Sequence, residues 1–411
     1  MTRRSWLVQL AAIALLAAAC GGGDDDADGA GGSGTGETIR IGAAVSLSGQ
    51  YSREGTDTRN GYQLWLDKVN EEGGIEVDGV RHPVEIVFYD DESDTEQVTL
   101  LTERLITEDD VVGVLGPYSS GLTQAASAIT ERRQVPMVEG NGAAEEIFAR
   151  GFEYVFGVLT PGQQYTQAAI EKAAELGAET AVIAYEDSPF PIEVAAGAER
   201  WLEENGIELL ASESYPLDVA DVSSLMTQFR TLDPDLFIGG GHFNDAVLFI
   251  RQAKDLGFSP DAFILTVGPS NPSFVEEMGA DAEYVWGATQ WEPSFEYEDD
   301  FWGTAADYSA AFEAEFGGRP SYQAAESTAA AMVLQDAIER AGSLDPREIR
   351  DAIAETDMMT FYGPIHFDET GKNDVKAMGA IQIIGGEIVP IAPDDVAAQD
   401  PVYPAPPWNE R

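Results

Sequence analysis

Two hydrophobic periods take turns along most of this chain, and that alternation restricts its fold more than any other property of the sequence. Short runs that are apolar nearly throughout occur at Ile39–Leu47, Val84–Tyr89, Val111–Gly116, Val135–Val138, Ala181–Tyr185, Leu236–Gly239 and Ala262–Val267. Amphipathic segments fill the intervals: Asp57–Asn70, Thr95–Thr107, Leu122–Arg132, Gln163–Leu176, Glu193–Asn205 and Asn244–Leu256. A strand that is apolar on both faces must be covered on both faces, as happens when helices flank a parallel sheet. The alternation therefore predicts an α/β fold built from parallel-sheet units.

The pattern runs twice. An extended stretch near Tyr154–Val158 leads into a second series of strand and helix, and another near Tyr284–Ala288 precedes two long helical stretches, Asp300–Phe316 and Tyr322–Ala341. A hairpin-like segment at Gly363–Asp368 follows, and strands at Ala380–Ile384 and Glu387–Ile391 close the fold. The proline-rich residues 399–411 read as an irregular tail.

The amino terminus carries different information. Arg3 and Arg4 precede an apolar stretch, Trp6–Ala19, that is short for a membrane span and suits a signal peptide over residues 1–19. Leu16-Ala17-Ala18-Ala19-Cys20 resembles a bacterial lipobox, in which the cysteine is lipidated; Thr2–Leu7 also resembles a twin-arginine signal, so either export route fits. Residues 20–37, rich in glycine and aspartate, have nothing to bury and read as a flexible tether from an anchored Cys20. Because Cys20 is the one cysteine of the chain, intrachain disulfides and thiol chemistry in the folded part are excluded.

Charge excludes further classes. With 73 Asp and Glu against 23 Lys and Arg, the net charge is −50, which disfavours nucleic acid and anionic membrane surfaces as partners. The acids are scattered along helix faces, and His82, His242 and His366 stand alone, so no metal-ligand spacing is present and no cofactor is expected. Pro117-Tyr118-Ser119-Ser120-Gly121 lacks the first glycine of a nucleophile elbow at either serine, and no phosphate-loop lysine or dinucleotide fingerprint occurs. An enzyme is therefore not expected.

Ligands of open parallel sheets sit beyond the carboxyl ends of the strands. Four loops at such ends are rich in glycine and small polar residues: 46–55, 116–121, 139–143 and 239–244. Ser119 or Ser120 is placed to cap the helix that follows. Two hydroxyls beside the unpaired N–H groups of a helix N-terminus also make a carboxylate site.

The stretches "IGAAVSLSGQYSREGTDTRNGYQLWLDKVNEEGGI" (41–75), "EIVFYDDESDTEQVTLLTERLI" (85–106), "VVGVLGPYSSGLTQAASAITERRQVPMVEGNG" (111–142), "GGHFNDAVLFIRQAKDLGF" (240–258) and "YGPIHFDETGKN" (362–373) resemble the leucine/isoleucine/valine-binding family of type I periplasmic solute-binding proteins. The resemblance spans residues 38–392. It implies two doubly wound parallel-sheet lobes joined by three hinge crossovers, one formed by 38–157 with 291–378 and the other by 158–290 with 379–398. It also implies a monomer, anchored outside the cytoplasm, that closes on a small solute and delivers it to the permease and ATPase subunits of an ABC importer.

By the same resemblance Ser120 binds the ligand carboxylate, with Tyr118 and Ser119 beside it. The next loop contributes through Asn141, Gly142 and Ala143, where the family's threonine hydroxyl is missing. The aromatic wall falls on Phe190 and on His242 or Phe243. Glu54 stands where the family has a pocket aromatic, with Tyr51 nearby. The acid that holds the ligand's ammonium in the family falls within Leu265–Gly268, around Val267, where this chain has none. Glu54 and Glu139 are the replacements the sequence offers, and a carboxylate or amide lacking an α-amino group is the alternative ligand. An extracellular sensor using the same fold and a surface hydrolase acting through Ser119 or Ser120 are the competing functions.

Overall fold

The computed structural model describes residues 36–411. The expected signal peptide, Cys20 and nearly all of the tether lie outside the described residues.

The first half supplies β1 (Ile39–Val45), α1 (Ser52–Glu71), β2 (Val84–Asp90), α2 (Thr95–Thr107), β3 (Gly113–Leu115), α3 (Ser120–Arg133), β4 (Met137–Glu139) and β5 (Val155–Gly157). Its five strands are all parallel, in the order β2-β1-β3-β4-β5. The second half supplies α4 (Gln167–Glu175), β6 (Thr180–Glu186), α5 (Pro189–Glu204), β7 (Glu208–Tyr215), α6 (Ser223–Leu232), β8 (Leu236–Gly240), α7 (Phe243–Leu256), β9 (Ala262–Leu265), α8 (Pro272–Met278) and β10 (Trp286–Thr289). Then come α9 (Ala305–Phe316), α10 (Tyr322–Ala341), α11 (Pro346–Ala354), β11 (Gly379–Ile384) and β12 (Glu387–Ala392).

The second sheet runs β12-β11-β10-β9-β8-β6-β7. Its parallel part, read from β7 to β10, repeats the order of the first sheet, and β11 and β12 extend it antiparallel. The turn between them accounts for this edge: Gly385-Gly386, both at positive φ, turn the chain directly back, which only antiparallel neighbours permit. In both sheets the order reverses beside the first strand. The switch points are at β1/β3 and β6/β8, where loops diverge and leave a crevice.

Local chemistry sets the helix ends. Asp94 caps α2 by accepting hydrogen bonds from the N–H groups of Glu96 and Gln97, and Gly257 ends α7 in the left-handed conformation. Helix α1 starts at Ser52, five residues before the amphipathic pattern is evident, with Gly55 in its first turn. A Cβ on Gly55 would stand 1.9 Å from the Ser46 carbonyl oxygen, so glycine lets the helix lie on the loop that feeds it. Helix α10 is buried on every side from Tyr322 to Leu334 and packs with α1, α9 and α11 in the core of the first sheet. Phe229, Phe237, Phe249, Phe258 and Phe263 fill the corresponding core of the second.

The chain passes between the sheets three times: after β5, after β10 and before β11. One residue from each passage joins a common buried network. Thr160 N–H donates to Gln290 Oε1 (3.2 Å), Gln290 Nε2 donates to the Thr160 carbonyl (3.1 Å), Thr160 Oγ1 donates to the Lys376 carbonyl (3.1 Å), and Lys376 Nζ donates to the Gln290 carbonyl. The proline-rich tail is irregular but not loose: Trp408 Nε1 donates to the Phe258 carbonyl (2.7 Å) and its ring packs on Phe263, while Tyr403 packs on Trp286.

Candidate functional site

The carboxyl ends of β1, β3 and β4 face those of β6 and β8 across a crevice. Several spaces open into it. A narrow inner cavity is walled by Tyr118, Ser120, Asn141, Ala143, Tyr165, Phe190, His242, Val267, Tyr322 and Glu326. An outer pocket is lined by residues that include Tyr51, Ser119, Ser120, Phe190 and His242. Ser120, Phe190 and His242 stand on the border of both.

The first side presents backbone and hydroxyls. Ser119 takes the N-cap position of α3 in extended backbone (φ −135°), yet its side chain makes no capping hydrogen bond. The N–H groups that open α3 therefore stay available, the condition a carboxylate needs. Ser120 Oγ accepts from the Ala144 N–H (3.0 Å), which leaves its own proton to donate. Asn141 Nδ2 donates to Ser327 Oγ (2.9 Å), and its buried Oδ1 has no partner.

The second side presents rings. Phe190 packs edge-on against Tyr165 (centroids 4.9 Å apart) and lies 5.6 Å from His242, whose ring is 4.7 Å from Tyr51. His242 Nδ1 and the Tyr118 hydroxyl are 2.8 Å apart, a hydrogen bond that ties the two sides together. Burial pushes the imidazole down to about 3, so it is neutral. Its Nε2 is 3.9 Å from Glu186, which burial raises to about 7; at neutral pH this is a contact of an uncharged ring, not an ion pair. Further bonds cross the mouth: Asn244 Nδ2 to the Gln50 carbonyl (3.1 Å), Asn271 Nδ2 to Asp57 (2.8 Å) and Arg53 to Glu277 (3.2 Å).

The two acids singled out from sequence have other duties. Glu54, raised to about 7 by burial, directs Oε1 at the N–H of Phe243 (3.2 Å) and so holds the start of α7 from across the crevice. Glu139, raised to about 8 by burial, turns Oε2 onto the N–H groups of Asn141 (2.8 Å) and Gly142 (2.5 Å) and stiffens its own loop. Neither lines the inner cavity. Nor does Phe243, whose ring faces Phe274 and the Arg53 guanidinium (4.2 Å). Gly142 is a packing position, since a Cβ there would meet Thr123 and Ile147 within 3 Å.

The acid that does line the cavity is Glu326, with Tyr165 and Tyr322, none of which the sequence reading singled out. One signal existed: Glu326 is the sole charged residue between Arg319 and Asp336 in a helix otherwise made of small and apolar residues. A lone charge in a segment fit for burial is either paired or functional. Among the described residues no group of three or more His, Cys, Asp and Glu is arranged to hold a metal ion, and no helix is long and apolar enough to cross a membrane.

Residues 38–387 match the family of periplasmic binding proteins. The chain is 26% identical to Leu/Ile/Val-binding protein homolog 7 of Brucella suis, over 88% of this chain and 93% of that protein. Its fold superposes on the branched-chain amino acid substrate-binding protein LivJ of Streptococcus pneumoniae, determined with isoleucine, at a TM-score of 0.76, 24% identity and coverage of 85% of this chain and 97% of the other. It also superposes on a solute-binding protein of Rhodopseudomonas palustris determined with benzoate, at a TM-score of 0.74, 19% identity and coverage of 89% and 98%.

Proposed function

Given that this chain belongs to the periplasmic binding protein family and has its type I fold, we propose that it captures a small carboxylate-bearing solute, an amino acid or a related amide or organic acid. The solute is held between the lobe of 38–157 with 291–378 and the lobe of 158–290 with 379–398. The observation that carries this reading is the uncapped start of α3 beside the Ser120 hydroxyl on the cavity wall. Free N–H groups, the positive end of a helix dipole and a hydroxyl with a proton to give bind a carboxylate without any fixed cation. Phe190, His242 and Tyr118 then cover the rest of the solute, and their contacts across the crevice exist only when the lobes are together.

The ligands named for similar proteins, isoleucine and benzoate, share one carboxylate and an apolar remainder. The protein acts outside the cytoplasm as a monomer, anchored by lipid on Cys20, and hands its solute to the permease and ATPase subunits of an ABC importer. It performs no catalysis. A thermal-shift screen with amino acids, short amides and aliphatic and aromatic carboxylates tests the reading. A ligand at 100 times its Kd adds about 2.7 kcal/mol to folded stability, several degrees of Tm. Melting temperatures unmoved by every carboxylate in the panel would refute it.

A further inference from the structure

We propose that Glu326 is the group that receives the amino end of the solute, so that the site selects α-amino acids over the same carbon skeletons without nitrogen. This deepens the proposed function and rests on its placement of a carboxylate at Ser120.

The acid has the position and the spare capacity for the task. Glu326 lies in the second turn of α10, is 1% exposed and lines the inner cavity with Ser120. Its Oε2 is 3.2 Å from the Tyr362 hydroxyl, and that hydroxyl is also 3.2 Å from Gln290 Oε1. One phenolic proton faces two acceptors and serves only one of them. Both arrangements of the chain are nonetheless complete. With Glu326 protonated, its carboxyl donates to Tyr362 and Tyr362 donates to Gln290. With Glu326 ionised, Tyr362 donates to Glu326, and Gln290 Oε1 retains the Thr160 N–H. The network thus accepts either state without orphaning a buried atom. Tyr165 accepts from Gln290 Nε2 (3.1 Å) and keeps its own proton for the cavity it lines.

Charge counting shows what the ionised state needs. The groups facing Glu326 are Glu139, Lys376 and the phenols Tyr62, Tyr165, Tyr322 and Tyr362. Lys376 is buried 4.4 Å over the Tyr362 ring and donates to the Gln290 carbonyl. Glu139, raised to about 8, keeps its proton at neutral pH, and Lys376, lowered to about 7, carries only part of a charge, so an ionised Glu326 is left without a full counter-charge. An uncompensated charge at this depth is strongly disfavoured, and burial accordingly holds Glu326 well above the usual carboxylate range and Lys376 down to about 7. A ligand ammonium supplies that counter-charge at Glu326, while the ligand's carboxylate is met separately by Ser120 and the start of α3. Glu54 does not supply this role, because its carboxylate is committed to the Phe243 N–H, and Leu265–Gly268 contains no acid.

The test is isothermal titration calorimetry of the full chain with two matched pairs: L-leucine against 4-methylpentanoate, and L-phenylalanine against 3-phenylpropanoate. At least one amino acid is expected to bind tenfold or more tightly than its partner. Glu326→Gln should erase that preference by weakening the amino acid 10- to 100-fold while moving the des-amino acid less than threefold. Enthalpies in phosphate and Tris at pH 7 should show up to one proton released per amino acid bound, a readout that needs no variant. Equal binding within both pairs, no proton release, or a preference that survives Glu326→Gln overturns the assignment of Glu326 and leaves the carboxylate site standing. No binding of any of the four overturns the assignment for these amino acids. If Ser120→Ala also leaves every observed affinity unchanged, it is the carboxylate site itself that fails.

Discussion

The two sides of the crevice are built on the same strand order but are chemically unlike. Loops of the first sheet bring Ser119, Ser120, Asn141 and Ala143, small residues that expose backbone and hydroxyls. Loops of the second bring Phe190 and His242, rings that cover and exclude water. One fold unit used twice thus yields a polar cradle and an aromatic cover. The difference resides in loop residues at equivalent switch points rather than in the sheets. The changes below test that division.

The largest expected effect is on pH. Glu54 and Glu139 on the first side and Glu186 on the second are raised by burial from 4.5 to about 7, 8 and 7. Each holds a proton in the folded protein where the unfolded chain has lost it. Their contribution is therefore complete below the unfolded value and disappears as pH rises through the folded values. Melting temperature should fall between pH 5 and 8.5. The total change should be on the order of several kcal/mol, because each tenfold gain in proton affinity on folding is worth about 1.4 kcal/mol. Glu139→Gln should flatten the upper part of the curve and Glu186→Gln the middle. A profile that both variants leave unchanged would place the titration elsewhere.

Next in size is the cover itself. Phe190 is buried against Tyr165 and His242, so Phe190→Ala should cost about 3 kcal/mol of folded stability and also weaken every solute regardless of its charge. Ser120→Ala, on the cradle, should behave oppositely: stability falls by about 1 kcal/mol for the Ala144 N–H left unpaired, while carboxylate binding falls by about 1.5–3 kcal/mol. If the two variants give the same ratio of binding loss to stability loss, the division between cradle and cover is wrong.

Much of this arrangement is legible in the sequence because the sheet strands are apolar throughout and the helices between them are amphipathic. Helix α10 appears at the residues its pattern predicts, Tyr322–Ala341, as do the loops that end in Ser120, Asn141 and His242. What escaped had a weaker local signature. Strand β7 is an edge strand with a mixed, partly exposed sequence, ELLASESY, and α8 is only seven residues long. The start of α1 is hidden by Gly55, which resembles a loop residue until the Ser46 carbonyl beside it explains the need for glycine. Glu54 and Glu139 were visible as acids near the site, but not the N–H groups that claim them, since those come from loop geometry and from the opposite lobe. Glu326 is far in sequence from every strand-end loop and enters the cavity only through the packing of α10.

The smallest expected effect concerns one of the bonds that join cradle to cover. Tyr118→Phe removes the hydroxyl that meets His242 Nδ1 and keeps the ring in contact with Tyr51 and His242. Because that bond exists only with the lobes together, its loss should weaken solute binding by about 1 kcal/mol, roughly fivefold, through the closed state alone. The change should appear as faster release, with the association rate unchanged, in stopped-flow fluorescence. Burial holds the His242 imidazole down to about 3, so the effect of Tyr118→Phe should be the same at pH 5.5 and pH 8. An effect that grows as pH falls would mean that the imidazole takes up a proton in the bound protein, and that His242 reads the solute rather than merely covering it.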